Sequence, residues 1–295
     1  MNTLKKLSFS LVFAGALLSA VPAQAAPDPD LAGKSVVLVH GAFADGSSWG
    51  KVIPLLEAKG LHVTAVQNPL TSLGDDVSAT TRAIDQQKGP VVLVGHSWAG
   101  SVITQAGNND KVKALVYVAA FAPDNGESAN DIQKGLPAPS WASEVRIDPA
   151  GFLTLSDKAM VEDFAPDVSV AQARVLAATQ GPWFSGRLAE KIGHAAWHDK
   201  PSWFVVTTKD HIVGPDFQMK MARQIGATTV NVDASHVPML SKPESNHFSG
   251  AAGKVAGFAR RSIPAHRSGA SPVNSCTATN RNSGSFSMCS PTARS

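Results

Sequence analysis

Cysteine is almost absent from this chain of 295 residues, which contains only Cys276 and Cys289. Both lie near the C-terminus, so a disulfide between them would not staple the rest of the chain. No spacing of Cys and His residues resembles a structural zinc site. The hydrophobic content of 43% is ordinary for a globular protein and argues against wholesale disorder.

The N-terminus lacks an apolar run long enough to span a bilayer comfortably, which takes roughly 20 residues. The run Leu7–Leu18 follows Lys5 and Lys6 and precedes an Ala-Gln-Ala tripeptide ending at Ala25. This order of charge, apolar run and small-x-small pattern is typical of a cleavable signal peptide. We predict a signal peptide over residues 1–25, cut after Ala25, and a periplasmic or secreted protein without stable membrane association. An uncleaved membrane anchor is the alternative.

A strong charge of one sign is also lacking, since the formal net charge is +3. Five basic residues lie in the signal peptide or after residue 262, where there are no acidic residues, so the body between is slightly acidic. Such a body gives no electrostatic reason to bind nucleic acid. Residues 262–295 are rich in Ser, Asn, Thr and Arg with little apolar periodicity, and we predict that they are disordered. This tail is either a native extension or the product of a shifted reading frame.

Short apolar runs alternate with amphipathic stretches along much of the chain. The apolar runs predict strands that are buried on both faces, and the stretches between them predict helices. This alternation indicates an α/β fold with a mostly parallel central sheet and helices on both faces. The predicted strands are Ser35–Val39, His62–Val66, Val91–Val94, Ala114–Ala119, Trp203–Thr208 and Thr229–Val232, and the main predicted helices are Trp49–Lys59, Val77–Gln87, Ser101–Gln105 and Phe217–Ile225.

The alternation breaks between residues 121 and 199, which carry several Pro and Gly residues, scattered aromatic residues and no strong strand. We therefore predict a core made of residues 26–120 and 200–261. Residues 121–199, called the cap below, are predicted to be a helical insertion folded over the sheet.

The sequence around Ser97 carries the strongest chemical signal. A buried strand runs into Gly95-His96-Ser97-Trp98-Ala99-Gly100, and a helix follows, which is the context of a nucleophile elbow. The pattern G-x-S-x-G places glycine at position 99, where this chain has the slightly larger Ala99. We predict that Ser97 is a nucleophile, and an unreactive serine at a helix start is the alternative.

A second signal, His40-Gly41-Ala42-Phe43, follows the first strand. Hydrolysis of an ester requires N–H donors that stabilise an oxyanion. We predict that these donors are the backbone N–H groups of Trp98, directly after the nucleophile, and of Ala42.

The candidate base and its carboxylate follow the last two predicted strands. His236 lies in the loop after the final strand, and histidine titrates in the range that a base for serine requires. Asp210 follows the preceding strand and gives the chain order Ser, Asp, His of this kind of fold. Asp124, after an earlier strand, is the rival to Asp210. His96 more plausibly packs beside the nucleophile than acts as the base.

Aromatic side chains are the candidates for a substrate pocket, which we predict to include Phe43, Trp98, Trp183 and Trp197. Aromatic residues of the cap, with Trp141 and Phe184 among them, equally suit a small core of its own. His194 and His198 have helical i, i+4 spacing but lack the glutamate of a zinc protease helix, so no metal is predicted.

With these motifs, the chain resembles the α/β-hydrolase superfamily, and within it the small bacterial esterase-like proteins related to plant methylesterases and hydroxynitrile lyases. Residues 36–49, 91–100, 116–128 and 200–243 carry the likeness. The resemblance implies an α/β-hydrolase fold with a helical cap and places Ser97, Asp210 and His236 at the triad positions. The plant lyases carry a lysine directly after the histidine, where this chain has Val237, which argues against lyase activity.

The predicted function is serine-dependent hydrolysis of small-molecule carboxylic esters through an acyl-enzyme, without a cofactor. Three alternatives stay open at this point. One is a lyase or cofactor-free oxygenase that uses the same triad for proton transfer. The second is a non-catalytic small-molecule-binding protein. The third is an unstable chain without function, as a result of an altered C-terminus.

Overall fold

The computed structural model describes residue 31 and residues 33–244. The predicted signal peptide, the predicted tail over residues 262–295, and both cysteines lie outside the described residues, so these predictions stay predictions. Within the described part of the chain, no helix combines the length and the apolar character needed to cross a bilayer.

The described strands fall into two sheets of different character. Strand bounds are β1 (Ser35–Val39), β2 (His62–Val66), β3 (Val91–His96), β4 (Val112–Val118), β5 (Val145–Ile147), β6 (Phe152–Leu155), β7 (Trp183–Phe184), β8 (Ser202–Thr207) and β9 (Thr228–Val232). Six of them form one parallel sheet in the order β2-β1-β3-β4-β8-β9. Every residue of β1, β3 and β8 is buried, whereas the edge strands β2 and β9 are mostly accessible. Helices cover both faces of such a sheet, so its central strands are buried on both sides and consist of continuous apolar runs.

The α-helices include counterparts of the four main predicted helices, with shifted ends. Their bounds are α1 (Ile53–Glu57), α2 (Leu73–Asp85), α3 (Ala99–Ala106), α4 (Ala129–Gln133), α5 (Asp157–Ala159), α6 (Val170–Thr179), α7 (Pro215–Gln224) and α8 (Pro238–Ser241). The helix predicted over Trp49–Lys59 is divided into a 3-10 turn, Gly46–Trp49, and the short α1. Pro54 lies in the first turn of α1, where backbone N–H groups make no hydrogen bond within the helix. Proline, which has no N–H, is therefore favoured at the start of a helix and not in its interior.

The cap contains a sheet that the sequence analysis did not predict. Strands β5, β6 and β7 pair antiparallel in that order. They have only three, four and two residues, and β5 is largely exposed, so they leave no apolar run to recognise.

The topology brings four loops to one edge of the main sheet. In a parallel sheet the carboxyl ends of all strands lie at the same edge, where ligands of open α/β sheets bind. Ala42 follows β1, Ser97 follows β3, Asp210 follows β8 and His236 follows β9. Residues distant in sequence therefore meet above this edge.

Candidate active site

Ser97 lies in a tight turn between β3 and α3 with a left-handed backbone, at a φ of 55°. Non-glycine residues avoid this region, and such strain is concentrated at functional sites. The turn requires glycine where backbones approach: a Cβ at Gly100 would lie 1.9 Å from the Phe121 carbonyl oxygen, and one at Gly95 would lie 2.6 Å from the Ala99 oxygen. The close contacts thus fall on Gly95 and Gly100, which explains why alanine is accepted at position 99.

The structure brings Ser97, His236 and Asp210 into one chain of hydrogen bonds. The Ser97 hydroxyl lies 2.9 Å from His236 Nε2, and His236 Nδ1 lies 2.8 Å from Asp210 Oδ2. The side chains of His236 and Asp210 are fully buried. A carboxylate at Nδ1 selects the tautomer whose Nε2 can accept the serine proton.

The Asp210 carboxylate is held by more than its histidine. Oδ1 accepts from the N–H groups of Ile212 and Val213, at 2.8 and 2.9 Å. Oδ2 also accepts from the Thr207 hydroxyl at 2.9 Å and the Gln218 amide at 2.8 Å. These bonds orient the carboxylate towards the imidazole. Thr207 and Gln218 carry no sequence signal for this role.

Two further histidines support the site from beneath. His96 Nε2 lies 2.8 Å from the backbone oxygen of His236, and the two rings are 4.6 Å apart. Burial, and then the proximity of His236, holds the pKa of His96 well below its usual range, so this ring is neutral, and it packs beside Ser97. His40 accepts the Asn68 N–H at 2.9 Å, and burial lowers its pKa as well. His40 thereby fixes the loop that carries Ala42.

The predicted oxyanion donors, Ala42 and Trp98, line a cavity that also contains Ser97. Neither N–H donates a hydrogen bond to another described residue. Phe43, next to Ala42, has a φ of 56°, so this loop, like the turn at Ser97, has a left-handed residue beside its predicted donor. Two free N–H groups beside the serine are what an oxyanion requires.

The cavity at Ser97 is small, about 90 Å³, and half of its lining residues are aromatic. Its lining residues are Ala42, Phe43, Ser97, Trp98, Phe121, Gln133, Trp141, Phe164, Trp183, Leu188, Ile212 and Val213. An outer groove of about 550 Å³ shares the walls Phe121, Gln133, Ile212 and Val213 with it. The cavity therefore adjoins a roomier space towards solvent.

An ion pair that the sequence analysis missed supports two of the pocket aromatics. Arg187 of the cap lies 2.9 Å from Asp76 of α2, and both side chains are fully buried. Asp76 Oδ2 also accepts the indole N–H of Trp98 at 2.9 Å. The guanidinium lies 5.5 and 5.8 Å from the ring centroids of Trp98 and Trp183. The pair thus links the cap to the pocket wall.

The structure does not place Trp197 in this cavity. Its indole N–H donates to the Pro123 carbonyl at 3.1 Å, and its ring lies 3.8 Å from that of His198. The rival carboxylate Asp124 lies 2.6 Å from His198, not near His236. The hydrogen bond to Pro123 and the ring contact with His198 thus hold Trp197 near the loop that follows β4.

His194 and His198 do not converge on a common centre. His194 lies 2.6 Å from Asp199, whereas His198 pairs with Asp124. Among residues 33–244, no group of three or more His, Cys, Asp or Glu side chains is arranged to hold a metal ion.

A comparison with protein families matches residues 36–245 to the alpha/beta hydrolase family. This chain belongs to that family. The matched residues span the main sheet from the second residue of β1 through β9. Residues of the candidate site therefore all lie within the matched part of this alpha/beta hydrolase.

Curated relatives of this alpha/beta hydrolase include plant enzymes. Methylesterase 2 of Arabidopsis thaliana is 30% identical over 251 residues, which cover 72% of this chain and 93% of the relative. The alpha-hydroxynitrile lyase of Arabidopsis thaliana is 27% identical over 238 residues, or 70% of this chain and 92% of the relative. Among solved structures, polyneuridine aldehyde esterase matches with a TM-score of 0.65 at 21% identity, covering 76% of this chain and 99% of that one. At this identity the structural likeness shows the fold.

Proposed function

We propose that this alpha/beta hydrolase cleaves carboxylic esters of small molecules, with Ser97 as the nucleophile. The observation that carries the proposal is the continuous hydrogen-bond chain from Ser97 through His236 to Asp210, which opens on an apolar cavity with two free N–H groups. The methylesterase and esterase names of its relatives support ester hydrolysis as the chemistry.

In the proposed mechanism, Ser97 Oγ attacks the ester carbonyl carbon while His236 Nε2 takes its proton. The N–H groups of Ala42 and Trp98 bind the developing oxyanion, and Asp210 stabilises the imidazolium. Collapse of the tetrahedral species expels the alkoxide, which receives the proton from His236. Water, deprotonated by His236, then attacks the acyl-enzyme and releases the carboxylic acid and free Ser97.

Lyase chemistry is not favoured by the residues at the site. The position after His236 is held by Val237, whose side chain is buried and carries no charge. The lysine that the resemblance assigns to hydroxynitrile lyases is therefore replaced by an apolar residue.

We expect a fluorophosphonate to label this protein at a single residue, Ser97, with loss of p-nitrophenyl acetate turnover in proportion to labelling. Attack at phosphorus requires the same activated hydroxyl as attack at carbon. Intact-protein mass spectrometry and peptide mapping measure the adduct. Turnover without an adduct would favour a triad that only transfers protons, and binding without turnover would favour a non-catalytic protein.

The small inner cavity predicts a preference for compact acyl groups when the alcohol is p-nitrophenol. The bulky leaving group suits the outer groove, so the acyl chain must fit within about 90 Å³. We expect kcat/KM to fall along the series acetate, butyrate, hexanoate and octanoate. Leu188→Ala, which removes part of the cavity wall, should raise the ratio of hexanoate to acetate kcat/KM about tenfold.

Leu153→Ala is the matched control, since Leu153 is a partly buried leucine of the cap that lines neither the cavity nor the groove. Its chain-length profile should equal that of the wild type. If Leu188→Ala also leaves the profile unchanged, the acyl group does not occupy this cavity.

A further inference from the structure

Within the cap, the short segment of residues 160–167 contacts the two loops that carry Asp210 and His236. It begins with a π-helical turn, Met160–Phe164, closed by a 3.0 Å bond from the Ala165 N–H to the Met160 oxygen. Single π-helical turns are rare and are found frequently at functional sites. None of the sequence signals for the site fell on this segment.

Three side chains of this segment reach the loops after β8 and β9. The ring of Phe164 packs edge-on against the ring of His236, with centroids 5.1 Å apart. Asp163 Oδ1 lies 3.6 Å from Nδ1 of His211, the neighbour of Asp210. Asp167 contacts the residue that precedes His236.

The contact made by Asp167 has two hydrogen bonds to one residue. Its Oδ2 accepts the backbone N–H of Ser235 at 2.8 Å, and its Oδ1 accepts the Ser235 hydroxyl. Ser235 is 1% exposed, so these bonds fix a buried point of the loop. Charge-assisted bonds of this kind are stronger than neutral ones.

The position of the imidazole depends on how the loop after β9 is held on both sides of His236. Asp210 binds Nδ1, and His96 binds the backbone oxygen of His236. On the N-terminal side, the described contacts are the two Asp167 bonds to Ser235 and, one residue earlier, a 3.0 Å bond from the Lys209 N–H to the Ala234 oxygen. Removing the Asp167 bonds frees Ser235, the residue next to the base, while leaving the other contacts in place.

We propose that Asp167 is a positioning residue for His236 and acts through Ser235, so that the cap helps to set the geometry of the triad. The inference rests on the proposed function, since it assigns His236 as the base. A small displacement of a reacting group lowers the reaction rate strongly, and a displacement of about 1 Å lowers it on the order of 100-fold. The effect should appear in kcat, because Asp167 does not line the cavity.

The test compares Asp167→Ala, Asp167→Asn and Ser235→Ala on p-nitrophenyl acetate. Alanine removes both bonds, and we expect kcat to fall about 10- to 100-fold with KM within about twofold of the wild type. Asparagine loses the charge but keeps the shape, since its oxygen can accept the Ser235 N–H and its amide can donate to the hydroxyl. Asp167→Asn should therefore keep most of the wild-type kcat. If Asp167 acted only through its charge, the asparagine variant would be as slow as the alanine variant.

The rate of Ser97 modification by a fluorophosphonate gives a second readout that does not depend on substrate binding. It should fall in Asp167→Ala by the same factor as kcat. The control is Asp157→Ala, an exposed aspartate of the same cap at the start of α5, which should match the wild type in both measurements.

The possible outcomes either support or overturn the role of Asp167. A folded Asp167→Ala with kcat near the wild-type value, or Asp167→Asn as slow as Asp167→Ala, overturns the inference. If Asp167→Ala does not fold, Ser235→Ala decides: lower kcat at unchanged KM supports the inference, and wild-type kinetics overturn it. A wild-type protein that neither labels nor turns over an ester instead overturns the proposed function itself.

Discussion

Ser97→Ala is expected to lower kcat for p-nitrophenyl acetate by about 10⁴- to 10⁶-fold while the protein stays folded. Without the hydroxyl there is no atom to form the acyl-enzyme, and only the oxyanion donors and the pocket can still assist water. The measurement is initial-rate kinetics on purified protein, with thermal unfolding as the check on folding.

Ser101→Ala provides the matched control for this loss. Ser101 is a buried serine of α3 whose hydroxyl has no hydrogen-bond partner among the described residues. Its removal should leave kcat within about twofold of the wild type. If Ser97→Ala kept activity within tenfold of the wild type, the nucleophile would have to be another residue and the proposed mechanism would be abandoned.

The strained turn at Ser97 adds a second expected result. At a φ of 55°, any residue with a Cβ is disfavoured, whereas glycine adopts this region freely. Ser97→Gly should therefore be as inactive as Ser97→Ala but more stable than it by about 1 kcal/mol. For a domain of this size that corresponds to about 2–4 °C in Tm. A lower Tm for the glycine variant would show that the turn stores no strain.

The parallel sheet and the meeting of the candidate triad residues at its edge were predictable because both follow from local sequence. Strands buried on both faces leave continuous apolar runs, and the prediction for Ser35–Val39 coincides with the fully buried β1. The prediction for His62–Val66 coincides with the edge strand β2. Each residue of the candidate triad directly follows a strand of this sheet or lies in the loop after it. The topology of a parallel sheet then brings these loops to one edge.

The contacts between cap and core were not predictable in this way. Arg187 and Asp76 are 111 positions apart, and Ser235 and Asp167 are 68 apart, and no motif surrounds Arg187, Asp76 or Asp167. These pairs form only because the cap packs against the loops and helices of the core, which no local sequence pattern reveals. The prediction that Trp197 lines the pocket is wrong for the same reason. Its contacts with Pro123 and His198, which the sequence does not reveal, hold it outside the cavity.

The buried pair of Asp76 and Arg187 predicts the largest loss of stability. Asp76 accepts from Arg187, from the Trp98 indole and from the Leu70 N–H, at 2.8 to 2.9 Å. Arg187→Met leaves a fully buried carboxylate without its cation, which typically costs about 3–5 kcal/mol. We expect Tm to fall on the order of 10 °C. Arg223→Met, at an exposed arginine of α7, should change stability by no more than about 0.5 kcal/mol.

A double variant separates the cost of the orphaned charge from the cost of lost packing. Asp76→Asn combined with Arg187→Met removes both charges, yet the asparagine oxygen can still accept a hydrogen bond from Trp98 or Leu70. The double variant should therefore be more stable than Arg187→Met alone. The opposite order would mean that the carboxylate is not the source of the loss.

The pH dependence of Arg187→Met gives a third and independent check. Burial raises the pKa of Asp76 above its ordinary value, and Arg187 is among the groups that oppose this rise. Without Arg187 the pKa in the folded state rises further, so the folded state binds a proton that the unfolded state has released. Stability then falls as pH rises from the ordinary aspartate range through the raised folded value. The Tm deficit of Arg187→Met should accordingly be smaller at pH 5 than at pH 8, and an equal deficit at both pH values would show that Asp76 is not the group left uncompensated.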